Sequence, residues 1–296
     1  MGVMKLDKQT WTILGGDARS LALGKMLSED GKEVTFFGFN KLAPIEAMKK
    51  VNTLDQAIAA SQIIVAPLPF SNKAGKLNTP NNTEDISIEA ILSHIKDNQI
   101  LLGGHIHRKW LELAADENVN VIDYFEREEL QVLNAIPTAE GAIQLAMEEM
   151  DTTIHGSNVF VLGFGRIGKT VANTLAAMGA NVYVVARKHA DIAWILAKTY
   201  QAVFLQGMSS EIHRANLIIN TIPHIVLEGP QLEKVNEDCL IIDLASQPGG
   251  VDLAAAENLG IRTVSALGLP GKVAPVSAAR CIRETIYNIL YDLEVD

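Results

Sequence analysis

The sequence has few cysteines, few aromatic residues and no long apolar run, and each shortage excludes a class of protein. Its two cysteines, Cys239 and Cys281, lie far apart without metal-ligand spacing, so we expect reduced thiols in a cytoplasmic core. Aromatic residues make up 5% against 48% hydrophobic residues, which is typical of a soluble α/β protein. The longest apolar runs reach about half a membrane span, and the N-terminus has no signal pattern. We therefore expect a cytoplasmic protein with no membrane contact.

The sequence also has fewer basic than acidic residues. The chain has 25 Lys and Arg against 35 Asp and Glu, a formal net charge of −10. Because phosphate backbones need clustered Lys and Arg, a nucleic-acid partner is not expected. The length of 296 residues is sufficient for two domains, each with its own core.

Short apolar segments alternate with helical patterns twice along the chain. In the first half they lie at 11–16, 34–39, 62–69, 99–104 and 119–123, and in the second at 158–163, 181–186, 202–206, 216–223, 239–246 and 261–266. Val- and Ile-rich strands separated by helices indicate parallel sheets covered on both faces. The pattern predicts an α/β fold with two doubly wound parallel-sheet domains, the C-terminal one a Rossmann dinucleotide-binding domain.

The predicted division of the chain has four parts. A helix is expected to join the domains, with Thr138 as its cap after Pro137. The last segment is predicted to form a long helix after Pro275. By analogy with two-domain oxidoreductases, we expect this helix to pack back on the first domain. The parts are a Rossmann-like substrate or partner domain at 1–135, the interdomain helix at 136–152, the NADP-binding domain at 153–274 and the C-terminal helix at 275–296.

A glycine motif follows the strand at 158–162 and opens a helix. Gly163 permits the tight turn, Gly165 has no side chain to block a pyrophosphate, and Gly168 lets the helix pack close to the strand. The helix N-terminus then offers backbone N–H groups to phosphate. We assign the whole turn to cofactor binding: Gly163, Phe164, Gly165, Arg166, Ile167 and Gly168.

The next strand ends at a basic pair where an NAD site usually has Asp or Glu. Ala186, Arg187 and Lys188 stand there. A guanidinium pairs with a 2′-phosphate, whereas a carboxylate would repel it. The pair predicts NADP rather than NAD, with Arg187 as the main partner. The alternative is that both are solvated loop charges.

Two later strands of this domain end in polar turns. We assign Thr221, Ile222, Pro223 and Asp243 to the cofactor, and the hydroxyls of Thr221 and Ser246 to catalysis. The alternative is ordinary turn chemistry. Further on, Lys272 lies in a predicted loop with Gly268, Pro270 and Gly271, and is a candidate for binding an anion.

In the first domain, Gly15 and Gly16 follow a strand but lack a third glycine at the proper spacing, so no second dinucleotide is predicted. Asp17 is expected to cap the next helix. Arg19 is either a surface arginine or a bidentate clamp for a substrate carboxylate. The polar segment 71–85, with Lys73, is either a solvated loop or a loop at the mouth of the interdomain cleft.

Histidines mark another strand end of this domain. His105 or His107 is the candidate acid or base, and Arg108 a candidate carboxylate partner. A His-x-His pair can also bind a metal, but no third ligand is spaced to support one, so none is predicted.

The combination of motifs resembles the dipicolinate synthase A-subunit family across nearly the whole chain. Parts of the second domain are also similar to alanine and shikimate-type dehydrogenases. The motifs are GGDAR at 15–19, IPTAEGAIQLAM at 136–147, VLGFGRIGKTVA at 161–172, NTIP at 220–223, DLASQPGGVD at 243–252 and ALGLPGKVAP at 266–275.

The resemblance implies the dehydration and NADP-dependent oxidation of 4-hydroxy-tetrahydrodipicolinate, on a branch of the lysine and diaminopimelate pathway, to pyridine-2,6-dicarboxylate. It also implies a place in the mother cell of a sporulating bacterium, together with a second, flavoprotein-like subunit; we further expect a homo-oligomer. The dicarboxylate substrate requires local positive charge, for which Arg19, Lys272, Arg108 and Lys73 are candidates.

Other functions remain open at this stage. The chain can be a non-catalytic NADP(H)-binding subunit whose partner performs the chemistry, or an NADP dehydrogenase for another small carboxylate. An NADP(H)-sensing transcription regulator is disfavoured, because no basic helix pair appears and the charge has the wrong sign.

Overall fold

The computed structural model describes residues 9–42 and 49–295. Much of the segment used to predict the lack of a signal, residues 1–8, lies outside the described residues. The described chain divides into two compact units: unit 1 comprises the residues up to Leu133 and those from Ala274, and unit 2 comprises Asn134–Val273. None of the described helices is long and apolar enough to cross a bilayer.

Unit 1 is built on a parallel sheet. Its six described strands are ordered β3-β2-β1-β4-β5-β6. Strands β1, β4 and β5 are apolar and almost wholly buried, as expected for strands with helices on both faces. The strands are β1 Thr10–Leu14, β2 Glu33–Phe37, β3 Lys49–Lys50, β4 Ile63–Val65, β5 Ile100–Gly103 and β6 Val121–Asp123.

The helices of unit 1 begin at side chains that accept a backbone N–H of the first turn, which satisfies donors that the helix leaves open. These capping residues are Asp17, Thr53, Ser87 and His107. The cap predicted at Asp17 is confirmed. The helices are α1 Ala18–Glu29, α2 Leu54–Ala59, α3 Ile88–His94 and α4 Arg108–Asp116.

Helix α5, Glu128–Glu149, corrects the helix predicted at 136–152. The prediction placed the start of this helix at residue 136, beside Pro137, because proline is common in a first turn, but Pro137 lies inside the helix. The Thr138 hydroxyl donates to the Asn134 carbonyl at 2.8 Å instead of capping. Leu130 is fully buried in the core of unit 1, and this burial extends the helix N-terminally past the proline.

Unit 2 repeats the strand order of unit 1. Its parallel sheet runs β9-β8-β7-β10-β11-β12, so in both units the order reverses beside the first strand. The predicted class of two doubly wound α/β domains is confirmed. The elements are β7 Asn158–Leu162, α6 Arg166–Ala177, β8 Asn181–Ala186, α7 His189–Ala197, β9 Gln201–Phe204, α8 Met208–Glu211, β10 Leu217–Asn220, α9 Gly229–Leu232, β11 Leu240–Asp243, α10 Leu253–Asn258, β12 Thr263–Ser265 and α11 Leu269–Val273.

Helix α12, Pro275–Val295, belongs to unit 1 and packs on α1. Ile282, Ile286 and Ile289 are buried in the same core as β1. At the edge of this contact the Tyr287 hydroxyl donates to Asp30 at 2.7 Å. Burial and the Asp30 carboxylate raise the pKa of Tyr287, so its phenol stays protonated.

We expect Ile286→Ala to lower the free energy of unfolding by about 2–5 kcal/mol, because it leaves a cavity under α12. The matched control is Val276→Ala on the exposed side of the same helix, with an expected change within about 0.5 kcal/mol. Urea unfolding measures both. Equal shifts would contradict the assignment of the apolar face of α12 to the core.

Candidate functional site

The glycine turn of unit 2 holds α6 against the end of β7. Gly163 has φ +97°, a conformation that L side chains rarely adopt, and its N–H donates to the Val185 carbonyl at 2.9 Å. A Cβ on Gly168 would lie 2.2 Å from the Gly163 carbonyl oxygen. The first turn of α6 therefore touches the backbone of the loop, and no larger residue than glycine fits there.

The N-terminus of α6 opens onto free space. Gly165 is the N-cap residue, without a side-chain cap, and the first turn contains no acidic residue. A Cβ on Gly165 would meet nothing within 4 Å. Uncapped N–H groups and the partial positive charge of the helix favour an anion at this position. The space and the donors fit a dinucleotide pyrophosphate.

The basic pair lies at the same sheet edge, after β8. Ala186 is buried, whereas Arg187 and Lys188 are exposed. In the part of the chain that the structure describes, neither forms an ion pair. Lys188 is the N-cap residue of α7. Two cations without carboxylate partners thus follow β8 at the position that distinguishes NAD from NADP sites.

A buried polar pair joins the ends of β10 and β11. Asn220 Nδ2 donates to Asp243 Oδ1 at 2.8 Å, and Oδ1 also accepts the Ala245 N–H at 3.1 Å. Asp243 Oδ2 accepts the Gly250 N–H at 2.9 Å. Both carboxylate oxygens are therefore engaged within the protein, and only 3% of Asp243 is exposed. The Asp243 side chain therefore stabilises the turn after β11, and the assignment of Asp243 to the cofactor site stays a prediction.

The partner of Asp243 was missed in the sequence. Asn220 is fully buried and also donates to the Ile222 carbonyl at 3.0 Å. The signal was available, since Asn220 and Asp243 are the polar last residues of two otherwise apolar strands. They are register neighbours in the sheet.

The two hydroxyls predicted at these strand ends differ in their surroundings. The Thr221 hydroxyl donates to the Leu162 carbonyl at 2.8 Å. It also lies 2.6 Å from where a Cβ on Gly163 would stand, and the Ile222 side chain lies 3.0 Å from that point. Thr221 and Ile222 therefore shape the glycine turn. Ser246 and Pro223 are exposed beyond their strands.

In unit 1 Arg19 occupies the point where the strand order reverses, between β1 and β4. It is buried, so the surface-arginine alternative is wrong. Its Nε and Nη2 donate to the Asp17 carboxylate at 3.0 and 2.8 Å, and Nη2 donates to the Leu68 carbonyl. Within the described residues Nη1 forms no hydrogen bond. One edge of the guanidinium is thus fixed and the other is available to a carboxylate.

The Gly15-Gly16 turn of unit 1 has no open cradle. The side chain of Thr79 lies 2.3 Å from where a Cβ on Gly15 would stand, and Asn81 Nδ2 donates to the Gly16 carbonyl at 3.1 Å. The segment 71–85 therefore folds over the edge of its own unit, with Lys73 exposed in its outer turn. The space that a dinucleotide would need at this turn is occupied by protein.

Arg108 and His107 each form a hydrogen bond with a residue of helix α4. The Arg108 side chain is 87% exposed, and its Nε donates to Glu112 at 2.7 Å, one turn along α4. The assignment of Arg108 to the substrate stays a prediction. His107 caps α4, with Nδ1 accepting the Lys109 N–H at 3.3 Å.

Lys272 also lies in a different setting from the predicted one. It is exposed on the short helix α11 instead of in a loop, because Leu269 and Pro270 are buried and fold the segment into a turn.

His105 follows β5 beside Asp123, whose carboxylate accepts its backbone N–H at 2.9 Å. The imidazole is exposed, and its ring meets the edge of Phe125 at a centroid distance of 5.9 Å. Throughout residues 9–42 and 49–295, no three His, Cys, Asp or Glu side chains are grouped so as to hold a metal ion.

Known proteins resemble both units. Residues 10–125 match the family model for the N-terminal domain of the dipicolinate synthase A-subunit, and residues 120–246 match that of the D-isomer specific 2-hydroxyacid dehydrogenase NAD binding domain. The dipicolinate synthase A-subunit of Bacillus subtilis is 33% identical over 287 residues, 96% of either chain.

Solved structures agree with these matches. The crystal structure of the dipicolinate synthase A-subunit from Bacillus halodurans has a TM-score of 0.88 at 32% identity, covering 97% of this chain and 99% of that one. An L-alanine dehydrogenase has a TM-score of 0.64 at 15% identity over 95% of this chain and 89% of its own, a likeness of fold alone.

The fold, the glycine turn and these matches define an oxidoreductase with two Rossmann-type units, whose C-terminal unit binds a nicotinamide dinucleotide. Within that class, the chain belongs to the dipicolinate synthase A-subunit family. The predicted resemblance is confirmed.

The cradle at α6 is testable with two glycine variants. We expect Gly165→Ala to weaken dinucleotide binding by roughly tenfold or more, because the methyl group enters the phosphate space. Its free energy of unfolding should change by no more than about 1 kcal/mol. Gly168→Ala should instead lower the free energy of unfolding by about 1–3 kcal/mol, because its methyl group meets the Gly163 carbonyl. Calorimetric titration and urea unfolding measure the two quantities. Unimpaired binding by Gly165→Ala would place the phosphate elsewhere.

Proposed function

We propose that the dinucleotide is NADP(H), with Arg187 as the main partner of the 2′-phosphate and Lys188 as its helper. The observation that carries this proposal is the pair of exposed, unpaired cations beside an uncapped helix N-terminus. A guanidinium binds a phosphate through charge-assisted hydrogen bonds and has no competing carboxylate here. When bound, the cofactor accepts a hydride from the substrate.

The proposed reaction converts 4-hydroxy-tetrahydrodipicolinate to dipicolinate. The substrate loses one water, one hydride and one proton, and its ring becomes the aromatic pyridine-2,6-dicarboxylate. Aromatisation drives the oxidation, so the protein mainly has to orient the ring and move protons. The name of the relative in Bacillus subtilis supports dipicolinate as the product, and the substrate is the one that the family resemblance implies.

Arg19 is the proposed carboxylate partner. Its position after β1 is where ligands bind in open α/β sheets. Asp17 and Leu68 fix the guanidinium in one orientation, which reduces the entropy lost when a carboxylate binds. Exposed Lys272 is the second proposed partner, and Ser246 remains the proposed source of a hydroxyl.

The assembly and setting are also proposals. We propose that the chain works with a second subunit, since its relatives are named as one lettered component of a synthase. The same resemblance supports a flavoprotein-like nature for that subunit and a role in the mother cell cytoplasm of a sporulating bacterium. A homo-oligomer is a separate proposal.

Cofactor preference is tested by calorimetric titration of the purified chain with NADP⁺ and NAD⁺. We expect Arg187→Asp to weaken NADP⁺ binding by roughly 10- to 100-fold, the equivalent of a lost charge-assisted hydrogen bond. NAD⁺ binding should stay nearly unchanged. Lys198→Asp, the same change of charge at an exposed lysine after α7, is the control and should affect neither. Equal affinity of the native chain for both cofactors would refute the proposed preference.

Catalysis is tested with freshly generated 4-hydroxy-tetrahydrodipicolinate. We expect the chain together with the second subunit to form NADPH and dipicolinate in equal amounts. The chain alone is assayed in parallel. If NADPH forms only when the chain carries intact Gly165, the chain holds the hydride acceptor. Equal turnover with Gly165→Ala, at cofactor levels too low for that variant to bind, would show that the partner does the redox chemistry and that this chain is a non-catalytic subunit.

A further inference from the structure

His105 has a backbone conformation that the architecture of the chain does not require. Among the described non-glycine residues, positive φ occurs at His105, Asn118 and Thr199. Asn118 and Thr199 each come two residues after the end of a helix, α4 and α7, where a left-handed residue ends the helix. His105, at φ +55°, lies instead between β5 and α4. No helix end accounts for its strain.

Glycine would be the ordinary residue at this conformation, and two glycines come immediately before it. Gly103 and Gly104 are needed there for packing, since a Cβ on them would lie 2.7 Å from Phe70 and 2.5 Å from Tyr124. Neither has positive φ. The strained position carries an imidazole instead, and strain of this kind concentrates at functional sites.

Asp123 holds the strained residue in place. Its Oδ1 accepts the N–H of His105 at 2.9 Å and of Phe125 at 2.8 Å, and its Oδ2 accepts the Ile106 N–H at 2.6 Å. The carboxylate ends β6, opposite Gly103 in the register of the sheet. Two charge-assisted hydrogen bonds, from the N–H groups of His105 and Ile106, thus tie the chain at His105 to the neighbouring strand, and the third, from Phe125, fixes the carboxylate in its own turn.

The two candidate histidines differ in the surroundings of their imidazole rings. His107 has one ring nitrogen engaged in capping α4, whereas the exposed His105 ring contacts the edge of Phe125 at an interplanar angle of 83°. We propose that His105 is the acid–base residue of the dehydration, and that Asp123 is a positioning residue that acts through it. This inference rests on the proposed function.

In the proposed dehydration, every proton and electron pair is accounted for. The neutral imidazole takes a proton from the ring carbon next to the hydroxyl-bearing carbon, and that C–H electron pair forms the new C=C bond. The C–O bond breaks, and the leaving hydroxyl takes the proton from the imidazolium and departs as water. The imidazole is regenerated, and no oxidant is consumed in this step.

The first test compares His105→Asn with the native chain, assayed with the second subunit. Asparagine tolerates positive φ, so the variant removes the ring and keeps the backbone. We expect kcat to fall by at least roughly 100-fold, the usual contribution of an acid–base group, with unchanged NADP⁺ affinity and no loss of urea stability. His105→Gly should lose as much kcat as His105→Asn. Because glycine adopts positive φ freely, this variant should unfold at the same urea concentration as the native chain or at a higher one. Thr199→Gly is the control for relief of positive φ and should keep its activity.

The second test is a double-mutant cycle. Asp123→Asn should lower kcat in the native background but cause no further loss in His105→Asn, because a positioning residue acts only through its partner. Additive losses would overturn the role of Asp123. An active His105→Asn variant would overturn the assignment of His105 alone, whereas an inactive native chain would overturn the proposed function and the assignment with it.

Discussion

The close contact between α6 and the turn after β7 is the constraint on which the cofactor site depends. Gly168 meets the carbonyl of Gly163 with no room for a side chain, and Thr221 packs against the same turn. This contact fixes the first turn of α6 at the edge of the sheet, where its N–H groups have no side-chain cap. The open space at Gly165 is accessible to a phosphate only because the helix is held at that distance, and the basic residues after β8 are the proposed extension of this site.

The two units present different chemical groups at the same point of one strand order. In unit 2 the first helix has no cap, so its N-terminus is available to phosphate. In unit 1 the corresponding helix is capped by Asp17, which accepts the Arg19 N–H at 2.9 Å and offsets the positive end of the helix. Thr79 and Asn81 then cover its glycines. The group that we propose for a substrate carboxylate in unit 1 is the edge of the Arg19 guanidinium that is not bound by Asp17 and Leu68.

Features that depend on the local pattern of residues could be predicted from the sequence. Alternating apolar runs and helical periods predicted both sheets, and the glycine spacing in its strand and helix context predicted the turn at 163–168. Pro275 marked the start of α12, because proline fits a first turn. The resemblance to the dipicolinate synthase A-subunit family also came from motifs alone.

The features that the sequence could not yield depend on tertiary contacts. Pro137 looked like a helix start until burial of Leu130 carried α5 past it. Asn220 and Asp243 are 23 residues apart in sequence, and although both are visible as polar ends of apolar strands, their pairing depends on the register of the sheet. The strain at His105 has no sequence signature, since it depends on Asp123 in another strand.

The most direct test of the cofactor site is phosphorus NMR of NADP⁺ bound to the chain. The 2′-phosphate resonance is followed through a pH titration, in the native chain and in Lys198→Asp as a control for unspecific charge. Pairing with Arg187 and Lys188 favours the dianionic phosphate, so we predict a pKa below that of free NADP⁺ in both proteins. A 2′-phosphate that titrates as in free NADP⁺ would contradict this assignment, because it would show that the basic pair does not contact the cofactor.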